Sequence, residues 1–255
     1  MGEDVNGLSD RTALLWGRRE EQRRRGPKPA LSLADITEAA VAVADAEGLA
    51  AVSMSRVAAG LGNATMALYR HVRSKDELLA LMADAALDEP PDEPLTGDWR
   101  TDVRNWAHGA LAAATRHPWA ARLPVAGPPL GPRNLAWFDR VLAALEPTGL
   151  SAGERVAISM AVLTHVQGQA RLGADLAAGW AEDPEAFGAR YGQQLGLVVD
   201  PHRMPALARV VADGVFAGPP GGDPPSRDDA AGAEEFDLGV TFLLDGIAAY
   251  VARRT

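Results

Sequence analysis

Residues 61–82, LGNATMALYRHVRSKDELLALM, carry the strongest structural signal in the chain. Gly62 predicts a tight turn, and the residues after it predict a short helix over 64–71. Ser74, followed three residues later by Glu77, forms a capping box that predicts the start of another helix.

The residues before this stretch predict two further helices. The first begins at Ser32 or Leu33 and ends at Glu47. Ser53 predicts an N-cap for a shorter helix over 54–60. Two short helices joined by a glycine turn, with a longer helix before them, are typical of a helix-turn-helix motif.

The helix predicted over 64–71 has one apolar side and one side that is open to a ligand. Leu68 and Val72 are spaced to bury one side, with Val57 and Leu61 of the preceding helix as partners. The N-terminal residues of a recognition helix reach base edges in the major groove. The residues expected on the open side are Thr65, Met66, Tyr69 and Arg70.

These residue types predict two kinds of DNA contact. Thr65 can hydrogen-bond a base or a phosphate, and Met66 can contact a thymine methyl group. Tyr69, His71 and Lys75 carry donors that suit phosphate oxygens, which fix register without reading sequence. The alternative is that Tyr69 and His71 pack in the core and that Lys75 is a solvated surface charge. For His71 both interpretations stay open.

The composition is that of an ordinary soluble globular protein. Strand signals are almost absent, and Ala, Leu and Arg recur at helical spacing, which predicts an all-α fold. The chain has 255 residues, of which 47% are hydrophobic and 23% charged, and it contains no cysteine. Disulfide frameworks and thiolate metal sites are therefore excluded. Since no apolar run approaches the ~18 residues of a membrane span and the acidic N-terminus is no secretory signal, we expect a cytoplasmic protein without membrane contact. Further helices are predicted over residues 74–87, 98–116, 118–123, 132–146, 152–179, 184–196, 202–214 and 234–254.

Composition also predicts how the chain is divided. We expect a basic flexible arm over 1–30, a helix-turn-helix domain over 31–88 and a ligand-binding and dimerisation domain over 98–255. Within the arm, Leu14–Trp16 favours a short helix together with the Arg/Glu run that follows. The formal net charge is −9, and residues 88–255 supply most of it, with 14 basic and 22 acidic residues.

The arm is the densest basic cluster in the sequence. Six basic and two acidic residues lie between Arg18 and Lys28, and Arg23, Arg24 and Arg25 are consecutive. An arginine-rich arm can enter the adjacent minor groove, or it can remain a solvated tail with only non-specific attraction to DNA. In either case its arginines should steepen the salt dependence of DNA binding.

Taken together, these motifs resemble a known family. The stretch 61–82 resembles the helix-turn-helix of TetR-family transcriptional regulators, and 31–60 is similar to that family's first two helices. Asp98–Arg100, Arg116–Trp119 and 236–250 resemble the tetracycline-repressor type of C-terminal domain. The resemblance implies an all-helical homodimer that binds a palindromic double-stranded DNA operator and releases it when a small apolar or drug-like effector binds.

The resemblance also implies roles for individual residues. This chain has Ala64–Thr65 where many relatives have Ser-Pro or Gly-Thr, which leaves the helix cap and the base contacts open. Tetracycline-binding members hold a drug-chelated magnesium with a histidine where this chain reads LPVAGPP (123–129), so neither that ligand nor a metal or cofactor is expected. Thr65, Met66 and Ala67 match positions at which the family contacts bases. Tyr69, His71 and Lys75 match phosphate-contacting positions, and Arg56 lies near a further one.

Candidate effector contacts lie in the C-terminal part. His165 and Gln169 are polar residues within an apolar stripe of the helix over 152–179. Since buried polar groups need partners, the pair predicts contact with a ligand, a buried water or a second subunit, whereas fixing the helix register is the alternative. Trp106 and Trp137 are candidates for lining a mostly apolar pocket, although large aromatics at helical spacing are usually core.

The last predicted helix has apolar residues on two faces. One face is expected to pack on its own subunit and the other on a partner, with a fully buried helix in a monomer as the alternative. The resemblance implies a four-helix interface made from this helix and the helix over 152–179 of both subunits. The expected dimer contacts are Phe236, Val240, Leu243, Ile247 and Tyr250.

Enzyme motifs are missing from the sequence. Its five histidines form no metal-binding spacing, and it contains no GxSxG elbow, Walker loop or dinucleotide fingerprint. We therefore expect no catalytic residues. The competing class is an all-helical ligand-binding protein or enzyme without sequence-specific DNA binding.

Overall fold

The computed structural model describes residues 8–19, 31–123, 130–183, 189–216 and 230–254. Within these ranges the protein is all-α, as expected, and no helix there is long and apolar enough to cross a membrane. Short 3-10 turns follow α2, α6 and α7. The helices are α1 (Asp10–Leu15), α2 (Leu33–Glu47), α3 (Met54–Gly60), α4 (Thr65–Leu68), α5 (Lys75–Ala85), α6 (Trp99–Arg116), α7 (Pro132–Ala144), α8 (Ala152–Glu182), α9 (Ala189–Val198), α10 (Pro205–Ala212) and α11 (Ala230–Ala252).

The chain forms two compact units. The first consists of Met1–Ala170 and Leu243–Thr255, and the second of Arg171–Phe242. In the second unit α9 packs against α10, and the rings of Tyr191 and Phe216 meet edge-on with centroids 5.9 Å apart. The predicted DNA-binding helices and α6 and α7 belong to the first unit.

Helices α2 to α5 share one apolar core. Leu68 and Val72 are fully buried in it together with Val57, and Leu61 packs partly buried against it. The prediction that these four residues form the inner side of the turn is confirmed. Ser32 and Asp35 form a reciprocal capping box at the start of α2.

Residues 10–15 depart from the expectation of a flexible arm. The Ser9 hydroxyl caps α1 by accepting a bond from the Thr12 N–H. Ala13 and Leu14 are buried, and Leu14 belongs to the core of α2 to α5. The helix therefore begins before the predicted Leu14–Trp16 and ends before the Arg/Glu run, because burial and the cap fix its position.

Helix α7 is capped by a residue of another helix. Its own N-cap, Gly131, has no side-chain acceptor. Asp84 of α5 is 8% exposed, and its carboxylate accepts the Asn134 backbone N–H at 3.1 Å, the Asn134 side-chain amide at 3.0 Å and the Arg133 N–H at 3.4 Å. A Cβ at position 131 would lie 2.9 Å from the Asp84 Cβ and closer still to its carboxyl group. Glycine is therefore the residue that leaves room for this cap.

Asp84→Ala is expected to lower the free energy of unfolding by about 1–3 kcal/mol, because the donors at the start of α7 lose their acceptor. Equilibrium urea denaturation measures the change. Asp84→Asn keeps one acceptor oxygen and should fall between the wild type and Asp84→Ala. Asp139→Ala, which removes an exposed carboxylate of α7, is the matched control. Equal losses for Asp84→Ala and Asp139→Ala would contradict the capping role.

Glu154 ties the end of α11 to the start of α8. Its carboxylate accepts the Ser151 hydroxyl at 2.6 Å and the Tyr250 hydroxyl at 2.6 Å. Arg254 pairs with the same carboxylate at 2.6 Å. These bonds, led by the one from Ser151, lower the pKa of Glu154 from 4.5 to about 2.

This lowered pKa predicts a pH-dependent contribution to stability. A group whose folded pKa lies below its unfolded pKa stabilises the fold above the unfolded value and loses that effect as pH falls. The difference in unfolding free energy between wild type and Glu154→Gln should be constant above about pH 4.5 and shrink toward pH 2. Denaturation series at several pH values measure it, with Asp139→Asn as the control. An identical pH profile for both variants would refute the assignment.

Candidate nucleic-acid interface

The turn between α3 and α4 has the geometry that its sequence predicts. Gly62 adopts a positive φ of 65°, which favours glycine. The Asn63 N–H donates to the Ala58 carbonyl at 2.9 Å, and the Asn63 side chain donates to the Leu61 carbonyl at 2.9 Å. The two short helices are thereby held in a helix-turn-helix arrangement.

Helix α4 is shorter than predicted. It spans one turn, Thr65–Leu68, and then loosens into turns up to His71. Ala64 is extended and offers no side-chain cap, which answers the open question about the cap. Burial of Leu68 and Val72 shapes this segment instead, since both side chains are fully buried in the core.

The predicted DNA-contacting residues differ in exposure. Met66 is 69% and Tyr69 43% exposed, and Arg70 and Lys75 are also exposed. Thr65 and His71 are half-buried. Ala67 packs partly buried against the core, so it offers less surface to a base than its neighbour Met66.

Arg56 lies in the first turn of α3 and is paired with a carboxylate of α2. Its Nε donates to Glu47 Oε1 at 3.1 Å and to Oε2 at 3.3 Å, and its terminal nitrogen also contacts this carboxylate. The bond lowers the pKa of Glu47 and raises that of Arg56. To contact a phosphate as predicted, Arg56 therefore has to share or exchange the carboxylate of Glu47.

A charged cluster at the start of α5 was not predicted from the sequence. The two terminal nitrogens of the Arg19 guanidinium donate to the Glu77 carboxylate at 2.9 and 2.5 Å. Glu77 also accepts the Arg73 backbone N–H at 2.8 Å. Partial burial acts to raise the pKa of Glu77, but the bonds from Arg19 and Arg73 outweigh it and lower the pKa. The Arg73 side chain pairs with Asp10 of α1 at 2.8 Å.

Half of the predicted capping box at α5 is present. The Ser74 hydroxyl accepts the Glu77 N–H at 3.1 Å, but Glu77 bonds to the N–H of Arg73 instead of that of Ser74. The Glu77 carboxylate, which is also paired with Arg19, thus lies against residue 73 instead of residue 74. Arg23, Arg24 and Arg25 lie outside the described residues.

Trp106 and Trp137 lie in the core between α6 and α7. Their rings meet edge-on with centroids 6.1 Å apart. The Trp106 indole donates to the Trp137 carbonyl, and the Trp137 indole donates to the Asp88 carbonyl. Both indole N–H groups are thus satisfied within the protein, which favours the core interpretation. A shallow cavity of about 240 Å³ between α7 and α8 contains neither residue in its lining, nor His165 or Gln169.

The buried side of α8 is rotated from the predicted stripe. Ser159, Val162, Val166 and Ala170 are buried, whereas His165 and Gln169 are half-buried at the edge of that side. Leu172 and Leu176, which continue the predicted apolar stripe toward the end of α8, are exposed.

The dimer contacts predicted on α11 need correction. Phe236, Val240 and Ile247 are buried within the single chain, so the expectation that they face a partner is wrong for these three. Leu243 and Tyr250 are half-buried, and the Tyr250 hydroxyl is bonded to Glu154 of the same chain. The face of α11 with Phe236, Val240 and Ile247 therefore packs in the protein's own core. The exposed face contains Leu238, Phe242, Gly246 and Ala249.

A glycine turn between two short helices, with an exposed recognition segment on a helical core, defines a helix-turn-helix DNA-binding regulator. Residues 36–82 match the model of bacterial regulatory proteins of the tetR family. Residues 90–251 match the tetracyclin repressor-like C-terminal domain. The chain belongs to the TetR family, which consists of DNA-binding regulators and not of enzymes, so the competing helical-enzyme class is set aside.

Two curated relatives match along most of their length. The HTH-type transcriptional repressor DrrR1 of Streptomyces coeruleorubidus is 36% identical over 254 residues, which cover 94% of this chain and 86% of the relative. An HTH-type transcriptional regulator of Saccharopolyspora erythraea is 32% identical over 236 residues, which cover 92% of this chain and 91% of the relative.

The fold is also similar to solved structures of ActR, a TetR family protein of Streptomyces coelicolor. The complex of ActR with actinorhodin has a TM-score of 0.67 and 25% identity, covering 87% of this chain and 97% of ActR. The complex with (S)-DNPA has the same TM-score and identity, covering 86% and 98%.

Proposed function

We propose that the protein is a homodimeric cytoplasmic repressor that leaves a palindromic operator when a small apolar or drug-like molecule binds. The observation that carries the proposal is the exposed edge of Met66, Tyr69, Arg70 and Lys75 on a buried helical core. The repressor named DrrR1 and the ligand complexes of ActR support the regulatory role and the effector.

The recognition segment divides its work between two kinds of contact. Thr65 and Met66 lie at the start of α4, where side chains reach base edges. Tyr69, His71 and Lys75 donate to phosphates and set the register. Two such segments in a dimer enter successive major grooves, separated by ~34–36 Å or a multiple of it.

The dimer forms through the outer faces of α8 and α11. Val156 and Met160 expose apolar surface on α8, and Leu238 and Phe242 do so on α11. Gly246 and Ala249 continue the α11 face with small residues that allow close approach of a second helix. Each of the two helices thus exposes large apolar side chains, and exposed apolar surface of this kind marks interaction sites.

Effector binding changes DNA binding through the contacts that join α6 and α7 to the helix-turn-helix domain over 31–88, here called the recognition domain. Asp84 of α5 caps α7. Asp45 of α2 accepts bonds from the His117 ring and the Trp119 indole after α6, both at 2.7 Å. An effector that binds one arrangement of α6 and α7 better than another shifts the recognition domain, with a coupling of ~1–3 kcal/mol. His165 and Gln169, half-buried on α8, remain the proposed effector-binding residues, whereas Trp106 and Trp137 support the core beside α6 and α7.

Selection from random-sequence DNA duplexes tests sequence-specific binding without knowledge of the operator. We expect enrichment of a palindromic motif. Thr65→Ala should weaken binding of the dimer to that motif by at least about thirtyfold, since each of its two subunits loses a base contact worth ~1–3 kcal/mol. Tyr69→Phe should weaken it by about fivefold to hundredfold, because each of the two subunits loses one phosphate hydrogen bond. Fluorescence anisotropy measures both variants.

The control for these variants is Gln193→Ala, an exposed residue of α9. It should bind the motif like the wild type. Failure to enrich any motif, or equal affinity of all variants, would contradict the proposed function. On the wild-type complex, titration with actinorhodin then tests whether a compound bound by ActR also releases this protein.

Phe242→Glu is expected to convert the dimer into monomers, because Phe242 is 66% exposed on the proposed interface. Sedimentation velocity measures the molecular mass, and anisotropy should show the loss of palindrome binding. Leu197→Glu replaces an even more exposed residue of α9 outside the interface and should leave the dimer intact. A dimer that survives Phe242→Glu would place the interface elsewhere.

A further inference from the structure

We infer that Arg73 is an additional phosphate-contacting residue and that Asp10 of α1 competes with DNA for it. The inference rests on the proposed DNA-binding function and deepens it. Arg73 was assigned no role from the sequence, and Asp10 belongs to a segment expected to be a flexible arm.

Arg73 is held at the place where a phosphate contact is useful. It lies between His71 and Lys75, two proposed phosphate contacts, in the connection from α4 to α5. Its backbone N–H donates to Glu77 at 2.8 Å, and its side chain is 60% exposed. The backbone is therefore fixed while the guanidinium group remains accessible to a large polyanion.

Asp10 is fixed independently of Arg73. Its helix α1 is anchored by the buried Leu14 and by the bond of the Trp16 indole to the Leu130 carbonyl at 2.8 Å. Arg19 adds a third anchor, because it binds Glu77 and also donates to the Asp10 carbonyl oxygen at 3.1 Å. The Asp10 carboxylate thus lies 2.8 Å from Arg73 in a position that α1 determines.

The exchange of carboxylate for phosphate is physically accessible. An exposed ion pair contributes only ~0–1 kcal/mol, because water screens both charges. DNA presents a dense row of phosphates, and each one that a cation neutralises releases condensed counterions. Arginine binds carboxylate and phosphate with the same planar set of donors. A phosphate can therefore replace Asp10 on Arg73, and the freed carboxylate then repels the DNA.

The same arrangement recurs on the other side of the recognition segment. Arg56 of α3, whose position is near a proposed phosphate contact, is paired with Glu47 of α2. Both arginines that flank α4 are therefore partly neutralised by carboxylates of helices outside the turn. The simpler alternative is that Arg73 only pins α1 to α5.

The test measures binding of the full chain to the selected duplex at several salt concentrations. Arg73→Gln should reduce the slope of log affinity against log salt by about 2, because each of the two subunits loses one phosphate contact. Arg73→Lys keeps the charge and should retain the slope. Asp10→Asn should raise the affinity up to about fivefold for each subunit of the dimer, and this gain should disappear in the double variant with Arg73→Gln.

Asp76→Asn is the matched control, because it removes an exposed carboxylate from the first turn of α5 next to the same surface. Its effect should be the same with Arg73 and with Gln at that position. Thermal unfolding followed by circular dichroism checks that α1 stays docked in each variant.

Three results would overturn the inference. They are an unchanged salt slope for Arg73→Gln, a loss of affinity for Asp10→Asn, or an Asp10→Asn gain that persists without Arg73. If these occur while Tyr69→Phe still weakens binding, the inference fails and the proposed function stands. If the wild type selects no duplex at all, both fail.

Discussion

The carboxylate of Asp84 at the start of α7 is the constraint on which the arrangement of the first unit depends. It joins α5 to α7 by accepting N–H groups that Gly131 leaves without a side-chain cap. A buried carboxylate that lost these donors would be left unsatisfied. These bonds therefore couple α7 to α5, and in the proposed mechanism they carry a movement of α7 to the helix-turn-helix.

Local patterns were sufficient to predict the helix-turn-helix. Leu68, Val72 and Val57 follow helical spacing, and Gly62 has the positive φ that its place in the turn predicts. The longer-range pairings were not predictable, because they join residues far apart in sequence. Asp84 with Asn134 and Arg19 with Glu77 are examples, separated by 50 and 58 positions. Neither pairing leaves a periodic signal in the chain.

The apolar faces of α8 and α11 show a different limit. Spacing indicated that α11 has two apolar faces, but it did not tell which one the chain buries itself. The face with Phe236 and Val240 is buried in the single chain, and the face with Phe242 remains exposed. Periodicity reports that a face is apolar, whereas the identity of its partner depends on tertiary packing.

The one-turn helix α4 has a consequence for how such a protein diversifies. Its conformation is imposed by Leu68 and Val72, which are buried, and no side chain caps it at Ala64. Met66 projects from it without supporting it, so its replacement costs the fold little. Operator preference can thus drift over evolutionary time by changes at exposed positions, while the buried pair keeps each new variant folded.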